Sequence, residues 1–310
     1  MSELRNKSTQ RCSNLSITLA RLTREFLDRP GLSKNTRNSY EFTLMPLLRE
    51  YGRWSVEIIS RQELCDYLNR LTHIGHTTHH RHQAIIQALF NFAVEQGYLS
   101  NNPIAGLKRR KPDVEKGEHG TDEAIRYLTN EQLTVLYKLV AMDLRMNALV
   151  RLLHRTGARI SELLALDLET VDRRSRKFQV VGKGNKQRWC FYSDDAAIAL
   201  EKYLLYDRHP LIGALFTAEQ PLTGEVTRLS YRRFHKCWSD LIGQSSMLIG
   251  IRIHDLRHTF ATERVGLMGI ETLRALMGHE NIQTTLRYQK VTSSRAEEIA
   301  QLALDKLTKY

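Results

Sequence analysis

The sequence has 310 residues and carries 46 Lys and Arg against 34 Asp and Glu, a formal net charge of +12. Hydrophobic residues make up 42% of it and Pro occurs 6 times, which excludes wholesale disorder and a collagen-like repeat. The length suits two domains better than one. No stretch approaches the roughly 18 to 20 consecutive apolar residues of a membrane helix, and the first twelve residues are polar. These features predict a globular, intracellular protein with no membrane partner.

The excess positive charge indicates a polyanionic partner, because Lys and Arg that neutralise phosphates release counterions. Residues 1–120 hold 18 Lys and Arg against 12 Asp and Glu, and residues 121–310 hold 28 against 22. Neither half is merely a basic tail. Charge alone does not distinguish a nucleic-acid-binding protein from another protein of high isoelectric point. The four Cys, at 12, 65, 190 and 237, form no C-x-x-C pair and are predicted to be reduced thiols.

The first hundred residues are predicted to be helical. Apolar residues recur at helical spacing in four segments, near 15–26, 33–51, 62–71 and 78–96. They predict a four-helix N-terminal domain over residues 1–102. Pro103 ends the last helix, and the stretch 103–124, with Lys108–Lys111, is basic and polar. We interpret it as an interdomain linker, which either is solvated or lies against a nucleic-acid backbone.

Residues 125–310 predict a second domain of mixed α/β class that is mostly helical. Thr129 and Gln132 have the spacing of a capping box at a helix start. From Lys177 the apolar period changes toward two, with a Gly- and Asn-containing turn at 182–185, which predicts a β-hairpin. Helical patterns return at 196–206, at 230–242 and from 256 onward. The fold class is therefore mainly α, with one small hairpin sheet.

Six residues in the second domain carry candidate chemistry. They are Arg159, Lys183, His254, Arg257, His279 and Tyr288. Each alone has an ordinary structural explanation, since an Arg beside a helix start commonly forms an ion pair and a Tyr in an amphipathic helix commonly packs. Their combination is what suggests a shared reaction.

That reaction is the transfer of a phosphodiester to a protein hydroxyl. Negative charge builds on the non-bridging oxygens, and Arg159 and Arg257 can hold these bidentately. Tyr288 supplies an oxygen for a covalent ester, and Lys183, at the tip of the predicted hairpin, can protonate the departing 5′ oxygen. The two histidines of the set can orient the phosphate or help move the tyrosine's proton. No carboxylate cluster has metal-ligand spacing in the sequence, so the predicted mechanism uses no metal and no cofactor.

The ordered set Arg, Lys, His-x-x-Arg, His, Tyr resembles the tyrosine site-specific recombinases, also called the phage integrase family. The local contexts also match: GARISELL at 157–164, GKGNKQR at 182–188, HDLRHTFAT at 254–262, LMGHENIQTT at 276–285 and LRYQKV at 286–291. NFAVEQGYLSNNP at 91–103 is similar to the end of the family's helical, SAM-like core-binding domain. The resemblance covers nearly the whole chain, and it implies that the same six residues are catalytic.

The resemblance also implies a reaction sequence. Tyr288 attacks a scissile phosphate to give a 3′-phosphotyrosyl link and a free 5′-hydroxyl, so no ATP is needed, and strands are exchanged through a Holliday junction. Four protomers, identical or paired with a related recombinase, assemble on two double-stranded DNA sites, each clamping the duplex between its two domains. The amphipathic stretch 295–307 would dock on a neighbouring protomer, or else close its own domain. The implied location is cytoplasmic and nucleoid-associated, in a protein encoded by a bacterium or a mobile element.

Two other function classes remain as alternatives. One is a catalytically silent DNA-binding regulator, which the presence of all six residues opposes. The other is a DNA-relaxing enzyme of the type IB topoisomerase kind, against which the helical N-terminal domain and the HDLRH and LMGH contexts favour recombination. The compact size resembles Xer-like chromosome-dimer resolvases and mobile-element recombinases, and the sequence after Tyr288 favours the mobile-element group.

Three further features have simpler explanations. The histidines between 73 and 82 lack a Cys or carboxylate at ligand spacing, so a solvated or DNA-facing helix start is preferred to a metal site. Glu162 is expected to orient Arg159 or to cap a helix. His258 is expected to pack or to form a hydrogen bond.

Overall fold

The computed structural model describes residues 16–115, 117, 118, 125–182, 186–291, 300, 301 and 304. Lys183 and most of the amphipathic stretch 295–307 lie outside the described residues. The chain divides into two compact units, residues 1–123 and 124–310. Both are mainly helical, as predicted, with small antiparallel sheets in the second. Within the described ranges, no helix is long and apolar enough to cross a membrane.

The first unit contains the four predicted helices. They are α1 (Leu19–Asp28), α2 (Lys34–Tyr51), α3 (Arg61–Arg70) and α4 (His76–Glu95), with a 3₁₀ turn at Val56–Ile58. The hydroxyls of Thr18, Ser33 and Ser60 accept backbone N–H groups at the first three helix starts, which satisfies donors that a helix leaves free. The apolar faces of these helices meet in one buried core.

Part of the stretch 103–118 packs on the helices of this unit. The Arg61 guanidinium donates to the carbonyl oxygens of Pro103 and Ala105, at 3.1 and 3.0 Å. The Gln83 amide donates to the carbonyl of Leu107 at 2.9 Å. These contacts order the backbone at the beginning of the predicted linker.

The histidine-rich start of α4 contacts the same stretch. Nε2 of His76 and Nε2 of His80 each lie within 2.9 Å of the Arg110 carbonyl oxygen. Glu118 accepts hydrogen bonds from the His76 backbone N–H and the Arg110 guanidinium. The expectation of a solvated or DNA-facing helix start is therefore wrong for His76 and His79, which are buried with Nε2 at a backbone carbonyl. No group of three or more His, Cys, Asp or Glu in the described ranges has the arrangement of a metal site.

The second unit contains eight helices whose bounds are described, and five strands; residues 300, 301 and 304 are also helical. In chain order they are α5 (Asn130–Val140), α6 (Leu144–Thr156), α7 (Ile160–Leu164), β1 (Val171–Asp172), β2 (Lys177–Val181), β3 (Gln187–Phe191), α8 (Asp194–Tyr206), β4 (Thr217–Glu219), β5 (Val226–Arg228), α9 (Tyr231–Ile242), α10 (Ile253–Arg264), α11 (Ile270–Met277) and α12 (Ile282–Leu286). A 3₁₀ segment, Arg287–Val291, follows α12. The capping box of Thr129 and Gln132 is confirmed at the start of α5.

The predicted β-hairpin is β2 paired with β3. The two strands are antiparallel, with Phe178 opposite Cys190 and Val180 opposite Arg188. The sequence did not predict β1, which extends this sheet, or the separate pair β4–β5. Those strands have two or three residues each, too few to show an alternating pattern.

Two buried clusters position the site. The larger one surrounds α6, which packs against α8 and α10. A smaller one contains Phe260 of α10, Met277 of α11 and Tyr288. The second cluster brings the HDLRH helix, the LMGH helix end and the tyrosine segment together.

Candidate active site

Arg159 stands at a tight turn between α6 and α7. Gly157 ends α6 with φ +64°, and a Cβ there would lie 2.5 Å from the Phe260 ring, so this position requires glycine. The Arg159 backbone N–H donates to Glu162 Oε2 at 2.7 Å, and its guanidinium donates to Oε1 at 2.9 Å. The expectation for Glu162 is thus confirmed in both parts. The Arg159 side chain is still 37% exposed and can reach an anion.

Arg257 is buried on α10, with 2% of its surface exposed. Its guanidinium donates to the carbonyl oxygens of Gly157 and Met277, so it joins the end of α6 to the end of α11. Burial, together with the charges of Arg159 and Arg188, lowers the pKa of Arg257 to about 10. The group therefore keeps its positive charge at neutral pH.

A third arginine, Arg188 of β3, was not predicted to belong to the site. It donates from Nη1 and Nη2 to the two carboxylate oxygens of Glu162, at 2.9 and 2.6 Å, and from Nε to the Leu276 carbonyl at 2.9 Å. Burial raises the pKa of Glu162, but the hydrogen bonds and charges of Arg188 and Arg159 outweigh it and bring that pKa to about 2. One sequence signal for its role was available. Arg188 lies opposite Val180 in the hairpin, and Val180 is a buried position, so the alternation of the strands places an arginine on the inner face.

His279 follows the glycine that ends α11. Gly278 has φ +63°, and a Cβ there would lie 2.9 Å from Cδ of Arg188. Nδ1 of His279 is 2.9 Å from Oγ1 of Thr285, and its ring is parallel to that of Tyr288 with centroids 6.4 Å apart. Burial and the nearby arginines lower the pKa of His279 to about 4, so the ring is neutral at physiological pH.

Tyr288 lies in the 3₁₀ segment after α12 and is 2% exposed. Its hydroxyl is 2.8 Å from Nδ1 of His258, so the hydrogen bond expected of His258 is present, with a partner that the sequence did not indicate. The His258 ring lies perpendicular to that of His254, with centroids 4.7 Å apart. Burial lowers the pKa of His254, and it lowers that of His258 to about 4. Burial raises the pKa of Tyr288, which the charges of Arg257 and Arg159 partly offset.

The structure therefore brings five of the six predicted residues together. The sixth, Lys183, lies outside the described residues. Its described neighbours Gly182 and Lys186 line a surface cavity with Arg159 and His279. The Lys186 ammonium also pairs with Glu280 at 3.2 Å, which ties the hairpin to the loop that carries His279.

Comparison with known proteins identifies the family of this chain. The model of the phage integrase family matches residues 126–295. The tyrosine recombinase XerD of Oceanobacillus iheyensis is 28% identical over 289 residues, which cover 87% of this chain and 92% of XerD. The tyrosine recombinase XerC of Shewanella amazonensis is 29% identical over 279 residues, which cover 87% of this chain and 90% of XerC.

Solved structures show the same fold. The Tn1549 transposon integrase in complex with transposon right end DNA has a TM-score of 0.72 at 18% identity, covering 92% of this chain and 100% of that one. The XerH recombinase bound to a palindromic difH substrate has a TM-score of 0.67 at 20% identity, and the match covers 85% of this chain and 78% of the XerH chain.

The fold and the matched segments define an enzyme of DNA strand breakage and rejoining. The chain belongs to the phage integrase family, the tyrosine recombinases. Its function is site-specific recombination, and neither the silent regulator nor the topoisomerase finds support among these relatives.

Proposed function

We propose that Tyr288 is the nucleophile of strand cleavage and that Arg159 and Arg257 hold the scissile phosphate. The observation that supports this proposal best is that Tyr288 is buried in one cluster with Met277, whose carbonyl oxygen accepts a hydrogen bond from the Arg257 guanidinium. Arg159 keeps an exposed fork beside the cavity, and Arg257 is fixed by two carbonyls. Such preorganised donors stabilise the charge that develops on the non-bridging oxygens.

The chemistry proceeds by exchange of one ester for another. The Tyr288 oxygen bonds to phosphorus as the bond to the 5′ oxygen breaks, and the protein is left with a 3′-phosphotyrosyl link. Lys183 protonates the departing oxygen, and the neutral rings of His254 and His279 contact the phosphate as hydrogen-bond donors. Ligation reverses these steps with the 5′-hydroxyl of the partner strand.

The proposal extends to partners and organisation. Residues 1–102 act as the core-binding domain, 103–124 as the linker, and 125–310 as the catalytic domain, whose last helix docks on a neighbour. Four copies, or two copies with two of a related recombinase, assemble on two double-stranded DNA sites. The protein works in the cytoplasm on nucleoid or mobile-element DNA, and we favour a mobile-element role. The mass of the complex formed with two sites tests the four-protomer assembly.

The experiment for the nucleophile is covalent trapping. DNA fragments that become bound to the protein are first sequenced to find the site, and a nicked substrate carrying that site is then incubated with each variant. We expect Tyr288→Phe to form no covalent adduct while it retains specific binding. Tyr206→Phe, at a tyrosine that is 73% exposed, is the matched control and should react normally. An undiminished adduct with Tyr288→Phe would refute the assignment.

A further inference from the structure

The hydroxyl of Tyr288 has a well-defined neighbour in His258. The 2.8 Å separation from Nδ1 is that of a good hydrogen bond, and the two ring centroids are 5.8 Å apart. His258 lies one helical turn after His254 on α10 and immediately after Arg257, so the helix that holds the phosphate clamp also holds this ring.

We propose that His258 is the general base of strand cleavage, accepting the phenolic proton of Tyr288 at Nδ1. The inference rests on the proposed role of Tyr288 and assigns a role to a residue outside the six predicted from the sequence. In the step, the O–H bond of Tyr288 breaks as its oxygen bonds to phosphorus, and the proton forms an N–H bond at Nδ1. The leaving 5′ oxygen takes its own proton from Lys183. In ligation, the His258 imidazolium returns its proton to the phenolate as that group departs.

The local charges suit a base that is neutral before the reaction. Burial is the main cause that lowers the pKa of His258, so the ring is neutral at physiological pH and Nδ1 has a lone pair available for the tyrosine's proton. The charged and titratable groups that face it are His254, Asp255, Arg252, Arg257 and Tyr288. Among them the Asp255 carboxylate favours the imidazolium. The ring is half-buried, in contrast with the 2% exposure of Tyr288, so it also offers the accepted proton a path towards solvent.

His279 is placed for a different task. Its Nδ1 is engaged by the Thr285 hydroxyl, and its ring lies parallel to that of Tyr288 with an interplanar angle of 4°. The His279 ring thus lies parallel to that of the nucleophile, while the Tyr288 hydroxyl has Nδ1 of His258 as its hydrogen-bond partner.

The first test measures single-turnover cleavage of the nicked substrate at saturating protein. We expect His258→Ala to lower the cleavage rate by about 10²- to 10⁴-fold, the usual contribution of a general base, with unchanged DNA binding. The rate of the variant should increase tenfold per pH unit, because hydroxide must then remove the proton. The wild-type rate should be flat near neutrality and fall only well below pH 6.5. His235→Ala, at an exposed histidine on α9, is the control.

His258→Asn separates proton transfer from positioning. The Asn side-chain oxygen can accept the tyrosine's hydrogen bond at the place of Nδ1 but cannot hold its proton. We expect the Asn variant to remain as slow as the Ala variant. Recovery of wild-type cleavage by Asn, or a wild-type pH profile in a slow Ala variant, would show that His258 only positions Tyr288.

A substrate with sulfur in place of the bridging 5′ oxygen distinguishes the base from the acid. A thiolate leaves without needing a proton. With this substrate the Lys183→Ala variant should therefore regain a fast cleavage rate, whereas the His258→Ala variant should still cleave slowly. Restoration of His258→Ala, or cleavage by that variant at the wild-type rate, would overturn the inference. If the nucleophile assignment itself is wrong, a different experiment shows it: the Tyr288→Phe variant would still form a covalent adduct with DNA.

Discussion

At the scale of single residues, the site depends on one carboxylate shared by two guanidinium groups. Glu162 is only 5% exposed and contacts both Arg159 and Arg188. Three arginines in this small space would repel one another without it. A buried charge of this kind is costly to leave unpaired, so Glu162 and Arg188 stabilise the fold only as a pair.

Removing the Glu162 charge should weaken the fold in a pH-dependent way. Its pKa is lowered from 4.5 to about 2, so its contribution to stability is fully present above pH 4.5 and is lost as the pH falls towards 2. A shift of that size corresponds to about 3 kcal/mol. We expect Glu162→Gln to lower the free energy of unfolding by about that amount at pH 7, measured in urea, and by less at lower pH. Glu169→Gln, at an exposed carboxylate, is the control; equal losses for the two variants would contradict the argument.

The two arginines that we propose to hold the phosphate, Arg159 and Arg257, should respond differently to truncation. Arg159→Ala should reduce cleavage by about 10²- to 10³-fold, the typical cost of losing one charge-stabilising donor. Arg257→Ala should reduce cleavage as strongly and also lower the free energy of unfolding by about 2 kcal/mol or more, because two carbonyls lose a buried charged partner. Cleavage rates and urea unfolding of both variants check this. Equal stability of the two variants would show that the Arg257 contacts contribute little.

At the scale of elements, the end of α11 and the hairpin β2–β3 contact each other and together form a support for His279. Arg188 reaches from β3 to the Leu276 carbonyl, and Gly278 leaves room for its side chain. Because His279 comes next in the chain, the position of that ring depends on this contact. The support therefore links the hairpin that contains Lys183 to the histidine of the LMGH segment.

Gly278→Ala should disturb this support. The left-handed backbone and the 2.9 Å approach to Arg188 together should cost more than the roughly 1 kcal/mol of a strained alanine. Gly224→Ala isolates the backbone part, because its φ of +67° is similar and a Cβ there meets Glu219 at an ordinary 3.8 Å. We expect Gly278→Ala to lose more unfolding free energy and to slow cleavage, and Gly224→Ala to cleave normally. Equal losses of unfolding free energy and equal cleavage rates for the two variants would show that the Arg188 side chain moves aside at no cost.

The elements also show what could be predicted from the sequence. The longer helices can be predicted because each repeats apolar residues over several turns, and the hairpin because its Gly- and Asn-containing turn agrees with the alternation of its strands. The strands β4 and β5 are too short for such a pattern. Arg188 and His258 were missed because their roles depend on contacts with residues far along the chain, Glu162 and Leu276 for one and Tyr288 for the other.

At the scale of the whole molecule, the net charge of +12 is divided evenly between residues 1–120 and the remainder. Part of the charge in the second half belongs to the three site arginines. In the first half, Arg110 is already paired with Glu118, whereas Lys108 and Arg109 are exposed. Neither of them forms an ion pair with another described residue, so both can contribute to a DNA contact.

The salt dependence of DNA binding tests whether Lys108 and Arg109 contact the backbone. Each neutralised phosphate adds about 0.9 to the slope of log Kd against log salt concentration. If both contact phosphates, the variant Lys108→Gln with Arg109→Gln should lower that slope by about 2 on duplex sites of any sequence, measured in the Tyr288→Phe background to prevent cleavage. Arg173→Gln is the control, because this exposed arginine is paired with Glu201 at 3.1 Å. An unchanged slope in the double variant would show that Lys108 and Arg109 are solvated and do not contact phosphates.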